Sequence, residues 1–125
     1  MGRVIFLVGI GGMLGSLARY FTATGVARIL PASFPYGTFA VNVFGCLIIG
    51  LIYGLSARSN FLSPDWRLFL ATGFCGGFTT FSSFSYEFVA LLQNGDALTG
   101  ASYIFLSMFA GFAATAAGIL VTRAF

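Results

Sequence analysis

The feature that most constrains this chain is the stretch ATGFCGGFTTFSSFS, residues 71–85, in the middle of an apolar segment from about residue 66 to 92. A helix of that length can cross a bilayer, because about 20 residues at a rise of 1.5 Å each span the hydrocarbon core. Three glycines in five positions, Gly73, Gly76 and Gly77, each cost roughly 1 kcal/mol relative to alanine and let the backbone leave helical geometry. We therefore predict a helix that breaks near the middle of the membrane.

The residues after the glycines include many aromatic and hydroxyl side chains. They form two sets on different helix faces, Phe78, Phe81, Phe84 and Phe88 on one and Thr79, Ser82, Ser83 and Tyr86 on the other. Irregular backbone at membrane depth is tolerated only where it is buried in protein or lines a polar cavity, so we interpret the break as an ion or substrate site. Ring edges, which carry positive partial charge, and hydroxyls would together face an anion. The alternative is an aromatic stripe that packs against helices or lipid.

The composition assigns the chain to the all-α membrane proteins. Of its 125 residues, 58% are hydrophobic and 7% are charged, which leaves too little polar surface to cover a soluble core. The apolar runs continue for about 20 residues, too long for the strands of a membrane β-barrel. Because the sequence has no histidine, no metal-ligand cluster and no nucleophile with a base, we expect that it is not an enzyme. The net charge of +3 comes without a basic cluster, so we expect no nucleic-acid partner.

Four predicted spans make up a single transmembrane domain over residues 1–125. They cover about residues 4–26, 37–55, 66–92 and 97–121. Prolines mark the loop at 28–36, a second loop covers 56–65, and the sequence Asn-Gly-Asp at 94–96 predicts a turn before the last span. The N-terminus has features of a signal peptide, but its apolar stretch continues past Arg19, so we expect the first span to be retained.

Three polar residues inside the spans leave alternatives open. Arg19 is either an anchor that reaches the headgroups or an electropositive element of an aqueous vestibule, since an unpaired arginine in the membrane costs about 2.5–3.5 kcal/mol. Asn42 either joins helices, worth roughly 0.6–2 kcal/mol, or donates an N–H group to an anion. Glu87 is either a helix-end carboxylate near the interface or a polar member of the pathway.

Small residues and the spacing of the fourth span support three further predictions. Gly11 and Gly15 have the small-xxx-small spacing that lets helix backbones approach closely. Cys46 and Cys75 have no C-x-x-C spacing and are expected to be small buried hydrophobes. In the fourth span, a four-residue spacing places Tyr103, Ser107, Gly111 and Thr115 on one helix face. This face is either a polar track or a close-packed helix contact.

The polar residues of the second and third spans resemble those of the Fluc/CrcB family of fluoride-selective channels. The second span carries G-T-x-x-x-N over residues 37–42, and the third carries T-G-x-x-G-G-x-T-T-F-S-S-F-S-x-E over residues 72–87. The similarity extends over essentially the whole chain. It implies a four-helix subunit in the bacterial inner membrane, forming an antiparallel, dual-topology homodimer. It further implies two separate fluoride pores along the subunit interfaces and a structural Na⁺ at the dimer centre.

By motif position, the resemblance implies roles for individual residues. Phe81 and Phe84 match the phenylalanine pair whose ring edges line the fluoride path. Asn42 matches the pore asparagine, and Arg19 matches the vestibule arginine. The fluoride pathway predicted in this way comprises Phe81, Phe84, Asn42, Ser107, Thr115, Thr38, Tyr103, Arg19, Ser82, Ser83 and Glu87.

The resemblance also implies a metal site and shows one departure. Gly76 and Thr79 match the positions whose backbone carbonyls hold the central Na⁺, and carbonyls released by a helix break are suitable hard ligands. Ser107 and Thr115 match hydroxyls of the fourth-helix track. Gly111, however, stands where many members of the family carry a serine, so one hydroxyl of the track is missing.

The arginines favour a single orientation. With four spans, Arg3, Arg58, Arg67 and Arg123 would lie on the side of the termini and Arg28 on the other, which predicts cytoplasmic termini. Dual topology is thus implied by the family and not by the charges.

Two other functions remain open from the residues. A small proton-coupled exporter would use Glu87 as its titratable membrane carboxylate. A scaffold subunit without transport would need only the glycine stripes.

Overall fold

The protein is built from helices. Its structure, a computed structural model, describes residues 1–58 and 61–125 and is 85% helical, with no strand in those ranges. The elements are α1 (Gly2–Ile29), α2 (Tyr36–Ser56), α3 (Pro64–Arg67), a π-helical segment (Leu68–Cys75), α4 (Gly76–Phe78), α5 (Phe81–Gln93) and α6 (Ala97–Arg123). The predicted all-α class is confirmed. Of the predicted loop at 56–65, Ser59 and Asn60 lie outside the described residues.

Three helices of the described chain, α1, α2 and α6, are long and apolar enough to cross a membrane. With 28, 21 and 27 residues, each has the roughly 30 Å that the hydrocarbon core requires. The predicted third span is different, because it is divided among α3, the π-helical segment, α4 and α5. The fold is therefore that of a membrane protein with several apolar helices and one bent helical segment.

Polar side chains define where the shorter helices begin. The Ser63 side chain accepts a hydrogen bond from the Trp66 N–H group, and Pro64 follows it at the first helical position. Asp96 caps α6 in the same way by accepting from the Thr99 N–H group, directly after Gly95, which has a φ of 77°. Only glycine adopts that conformation without strain, so the predicted turn at 94–96 is tight and leads straight into α6.

Glycines join α1 to the bent segment. A Cβ atom on Gly11 would lie 3.0 Å from the Gly73 Cα atom, and one on Gly15 would collide with the Phe74 carbonyl oxygen. From the other partner in this contact, a Cβ on Gly77 of α4 would collide with the Gly12 carbonyl oxygen of α1. The predicted close packing at Gly11 and Gly15 is confirmed, and its partner is the backbone of the π-helical segment and α4.

A second glycine contact joins α2 to α6. A Cβ on Gly50 would collide with the Thr115 carbonyl oxygen, and one on Gly118 would lie 2.6 Å from the Leu47 carbonyl oxygen. The two backbones therefore touch without intervening side chains. This close approach holds the polar residues of α2 beside those of α6.

The position of the break differs from the expectation. Gly76 is helical (φ −61°, ψ −38°), and the chain leaves helical geometry at Thr79 (φ −85°, ψ 158°) and Thr80 (φ −150°, ψ 118°). The predicted break is therefore present, but it lies after the glycines: Gly73 is in the π-helical segment and Gly77 is in α4, two residues before Thr79. Gly73 and Gly77 allow the close approach to α1.

Two polar contacts join the ends of helices. The Arg3 guanidinium forms an ion pair with Asp65, and the Arg58 guanidinium donates to the Thr122 carbonyl oxygen. The beginning of α1 therefore lies beside α3, and Arg58, just after α2, lies beside the end of α6.

Candidate functional site: a groove at the helix break

The break between α4 and α5 is held by one side chain of α2. The Asn42 Nδ2 group donates to the Thr80 carbonyl oxygen (3.0 Å), and the Thr80 N–H group donates to Asn42 Oδ1 (2.8 Å). A buried backbone break needs partners for the groups that the helix no longer pairs, and the carboxamide of Asn42 supplies a donor and an acceptor. Asn42 thus joins α2 to the break, which confirms the interpretation of this residue as a link between helices. Its side chain still has a second N–H group, and it lines the groove described below.

Hydroxyls begin the helix that follows the break. The Thr80 hydroxyl accepts from the Ser83 N–H group (3.1 Å) and lies 3.2 Å from Ser83 Oγ and 3.3 Å from Ser82 Oγ. This is an N-cap with two additional hydroxyls around it. Ser82 and Ser83, both predicted site residues, therefore lie in the network that fixes the first turn of α5.

The hydrogen bonds of the Thr80 and Ser83 N–H groups leave two backbone carbonyls before the break without their helical donors. In a continuous helix the Thr80 N–H group would donate to Gly76, and the Ser83 N–H group would donate to Thr79. Here those donors turn to Asn42 and to the Thr80 hydroxyl. Both carbonyls that were predicted as metal ligands are thereby free of their helical donors.

A groove of about 480 Å³ runs along the break. Its lining includes Asn42, Phe81, Phe84, Ser107 and Gly111, and none of its lining residues is an Asp or Glu. The Ser107 Oγ atom is buried and has no hydrogen-bond partner within residues 1–58 and 61–125. Such an orphaned hydroxyl is costly unless something outside the chain accepts from it. The groove is thus mainly apolar, with a few polar residues and no carboxylate in its lining.

An aromatic row leads away from the groove. The ring centroids of Phe81 and Phe84 are 5.9 Å apart, those of Phe84 and Tyr103 are 4.9 Å apart, and Phe34 packs edge-on against Tyr103 at 5.3 Å. Phe81 is 80% exposed in this single subunit, whereas Tyr103 is fully buried. Sequence reasoning placed the first three rings at the site but missed Phe34, whose position in a loop gives no periodic signal.

Glu87 lies beyond this row with a hydroxyl on each carboxylate oxygen. Thr38 Oγ1 donates to Oε1 (2.6 Å), and the Tyr103 hydroxyl donates to Oε2 (2.7 Å). These two hydrogen bonds connect α2, α5 and α6. The structure thereby brings together three predicted site residues that are far apart in the sequence.

Two smaller pockets flank this cluster and share Thr38. One, of about 440 Å³, lies under the loop after α1 and is lined by Glu87 and Phe34 among others. The other, of about 310 Å³, is lined by Arg19 and Ser83 among others. Arg3–Asp65 is the only ion pair among the described residues, so the Arg19 charge faces its pocket without a carboxylate partner. Arg19 thus lines a pocket, and its role in a vestibule stays a prediction.

The predicted track on α6 is divided between two roles. Ser107 and Gly111 line the groove, and Tyr103 bonds to Glu87. Thr115 instead donates to the Cys46 carbonyl oxygen (3.2 Å), where α2 and α6 touch. The track is therefore polar at its centre and a close helix contact at its end.

These observations define a helical membrane protein with a groove at a broken helix, whose lining holds a few polar residues and no carboxylate. The chain belongs to the CrcB family: the family model described as "CrcB-like protein, Camphor Resistance (CrcB)" matches residues 6–119. This membership confirms the resemblance found in the sequence.

Curated relatives agree over nearly the full chain. A protein of Flavobacterium psychrophilum is 44% identical over 97% of this chain and 98% of its own, and one of Chlorobium chlorochromatii is 50% identical over 95% and 92%. A third, of Azobacteroides pseudotrichonymphae, is 46% identical over the whole of both chains. Each bears the name fluoride-specific ion channel FluC. The prediction that the chain is not an enzyme is confirmed by this family.

Proposed function

We propose that this protein is a fluoride-selective passive channel that exports fluoride across the bacterial inner membrane. The observation that carries the proposal is the groove at the break, which offers the Asn42 amide, the orphaned Ser107 hydroxyl and the rings of Phe81 and Phe84, with no carboxylate in its lining. An anion that leaves water must be compensated by several kcal/mol from oriented partial charges, and all of these groups present positive ends. The names of the relatives support fluoride as that anion.

We further propose that the working form is a homodimer with two pores. In one subunit the groove is open and Phe81 is exposed, so neither is shielded from lipid. Polar backbone and a desolvated ion both need protein or water around them at membrane depth. A second copy related by a two-fold axis would cover both grooves at once, and thereby form two equivalent pathways.

A structural Na⁺ is proposed at the dimer centre, held by the carbonyls of Gly76 and Thr79. These carbonyls fit a hard cation because their helical donors are directed elsewhere, and Gly76 has open space around it for a second copy. When bound, the ion would supply positive charge that holds two breaks together. Na⁺ withdrawal during reconstitution is expected to abolish the dimer, and a monodisperse, conducting dimer prepared without Na⁺ would refute the site.

The proposed topology has four spans per subunit, with the bent segment as the third, and copies inserted in both orientations. With four spans, Arg3 and Arg58 lie on the same side of the membrane, where they contact Asp65 and the Thr122 carbonyl oxygen. That bias favours one orientation, so dual insertion must rest on the stability of the antiparallel dimer. Labelling of a cysteine introduced at the exposed Gln93 from both sides of intact vesicles tests it, and one-sided labelling would contradict it.

Fluoride efflux from liposomes that contain the purified protein tests the function itself, with chloride as the paired ion. A channel gives uncoupled fluoride efflux that does not depend on a proton gradient, with little chloride. Proton-dependent exchange would instead indicate the small exporter with Glu87 as its carboxylate, and silence would indicate a scaffold subunit.

A further inference from the structure

Cys46 lines the groove, although the sequence suggests only a small buried side chain. It follows Asn42 by one turn of α2 and lines the same groove, and it is half-buried rather than buried. Residues four apart share a helix face, so Asn42 and Cys46 present adjacent side chains to the groove. Cys75 also lines the groove but is only 4% exposed and packs in a core cluster with Ile52.

The thiol of Cys46 faces a gap on α6. Along α6 the four-residue steps place a hydroxyl at Ser107, no side chain at Gly111 and a hydroxyl at Thr115. A Cβ atom on Gly111 would lie 3.4 Å from Cys46 Sγ, which is its nearest neighbour there. The sulfur therefore stands beside the place where a side chain at position 111 would be.

We propose that the Cys46 thiol is a further hydrogen-bond donor of the anion pathway, placed opposite Gly111 and one turn from the Ser107 hydroxyl. A thiol is a weak donor and a polarisable group. Beyond Ser107 the groove lining has no further hydroxyl on α6, because Gly111 has no side chain and Thr115 lies in the contact between α2 and α6. The Ser107 Oγ atom itself is buried and has no hydrogen-bond partner in the described chain. This inference rests on the proposed channel function and adds a residue to it.

Single substitutions test whether the thiol acts as a donor. Fluoride efflux is measured in liposomes for wild type, Cys46→Ala, Cys46→Ser and Ser102→Ala, each first checked as a monodisperse species by size exclusion. Cys46→Ala is expected to slow efflux about fivefold or more, the order of losing one hydrogen bond to a charged group. Cys46→Ser keeps a donor and should conduct at least fivefold faster than Cys46→Ala. Ser102→Ala removes a small polar side chain of α6 that donates to the Leu98 carbonyl oxygen and does not line the groove, so it is the control and should conduct as wild type does.

A second pair of variants separates hydrogen bonding from packing. In the Cys46→Ala background, Gly111→Ser would place a hydroxyl in the space next to the missing sulfur, whereas Gly111→Ala would fill that space with a methyl group alone. Recovery of efflux by Gly111→Ser and not by Gly111→Ala supports a donor role. Recovery by both or by neither overturns it, as does a Cys46→Ala variant with wild-type efflux or a Cys46→Ser variant as slow as Cys46→Ala. If wild type conducts no fluoride, the proposed function fails and this inference fails with it. If wild type conducts fluoride and substitution of Cys46 does not change efflux, only the inference fails.

Discussion

Asn42 and Thr80 exchange two hydrogen bonds, so that a side chain of α2 replaces the helical partners of the backbone at the break. Asn42 lies at the groove and Thr80 is buried. The site and the fold therefore depend on the same residue, because the groove exists only while the break is held open in this geometry.

Replacement of Asn42 by alanine should destabilise the protein. It leaves the Thr80 N–H and C=O groups without partners, and each buried unsatisfied group costs about 1–3 kcal/mol. We expect a clear fall in the temperature at which the detergent-solubilised protein loses its size-exclusion peak, and loss of efflux. Asn42→Asp keeps an acceptor but no donor, so it should be as unstable as the alanine variant. Gln93→Ala, on an exposed residue at the end of α5, serves as the control; equal melting of Asn42→Ala and wild type would contradict the bracing role.

A methyl group added at Gly15 should disrupt the contact between α1 and the bent segment. Its Cβ would collide with the Phe74 carbonyl oxygen and lie 2.9 Å from the Phe78 nitrogen. Backbone cannot yield as a side-chain end can, so Gly15→Ala should cost roughly 1–3 kcal/mol or more. The matched control is Gly25→Ala on the same helix, which meets nothing within 4 Å. It should be neutral or slightly stabilising, by up to about 1 kcal/mol, since alanine favours helix. Similar thermal stability of the two variants would rule out the close contact.

The hydroxyl of Tyr103 should matter only through Glu87. Tyr103→Phe retains the ring that packs against Phe84 and Phe34 and removes one hydrogen bond to the carboxylate. The expected loss of stability is about 0.5–1.5 kcal/mol or somewhat more, as for a single hydrogen bond. In a Glu87→Ala background the same substitution should cost less than about 0.5 kcal/mol, because its partner is gone. An undiminished cost in that background would mean that the hydroxyl acts elsewhere.

Much of the architecture could be predicted from the sequence because hydrophobic length and glycine spacing are local signals. The apolar helices, the packing at Gly11 and Gly15 and the presence of a break followed from them. The position of the break did not, since Gly73 and Gly77 allow either irregular backbone or close packing, and only the presence of α1 beside them decides between the two. The glycines remain helical, and the backbone breaks at Thr79 and Thr80, where Asn42 supplies the partners.

The sequence predicts which residues belong to the site better than it predicts which of them form hydrogen bonds with one another. Glu87, Thr38 and Tyr103 could each be named as polar residues in apolar helices. Their mutual hydrogen bonds depend on how α2, α5 and α6 cross, which no local pattern encodes. Phe34 and Cys46 carried even less signal, because a loop phenylalanine and an isolated cysteine are common in apolar chains.

Phe81 and Phe84 are expected to act through their rings, and their different packing makes this testable. Isoleucine keeps an apolar volume but lacks the positive ring edge. Phe81 is 80% exposed in the single subunit, so Phe81→Ile should leave subunit packing intact. Phe84 contacts Tyr103 at 4.9 Å, so Phe84→Ile should also lose about 0.5–1.5 kcal/mol of stability. Both should slow fluoride efflux at least about tenfold, equivalent to roughly 1.4 kcal/mol of barrier.

The control is Phe6→Ile, an exposed ring near the start of α1 and remote from the groove, which should conduct as wild type does. Efflux and size-exclusion profile are measured together for all three variants. If Phe81→Ile and Phe84→Ile gave monodisperse protein with wild-type efflux, the ring edges would have no part in conduction. If they lost efflux only together with assembly, the two phenylalanines would be packing residues of the dimer. A slow but well-assembled Phe81→Ile variant is the decisive result for the ring-edge mechanism, because that ring makes so little contact within its own subunit.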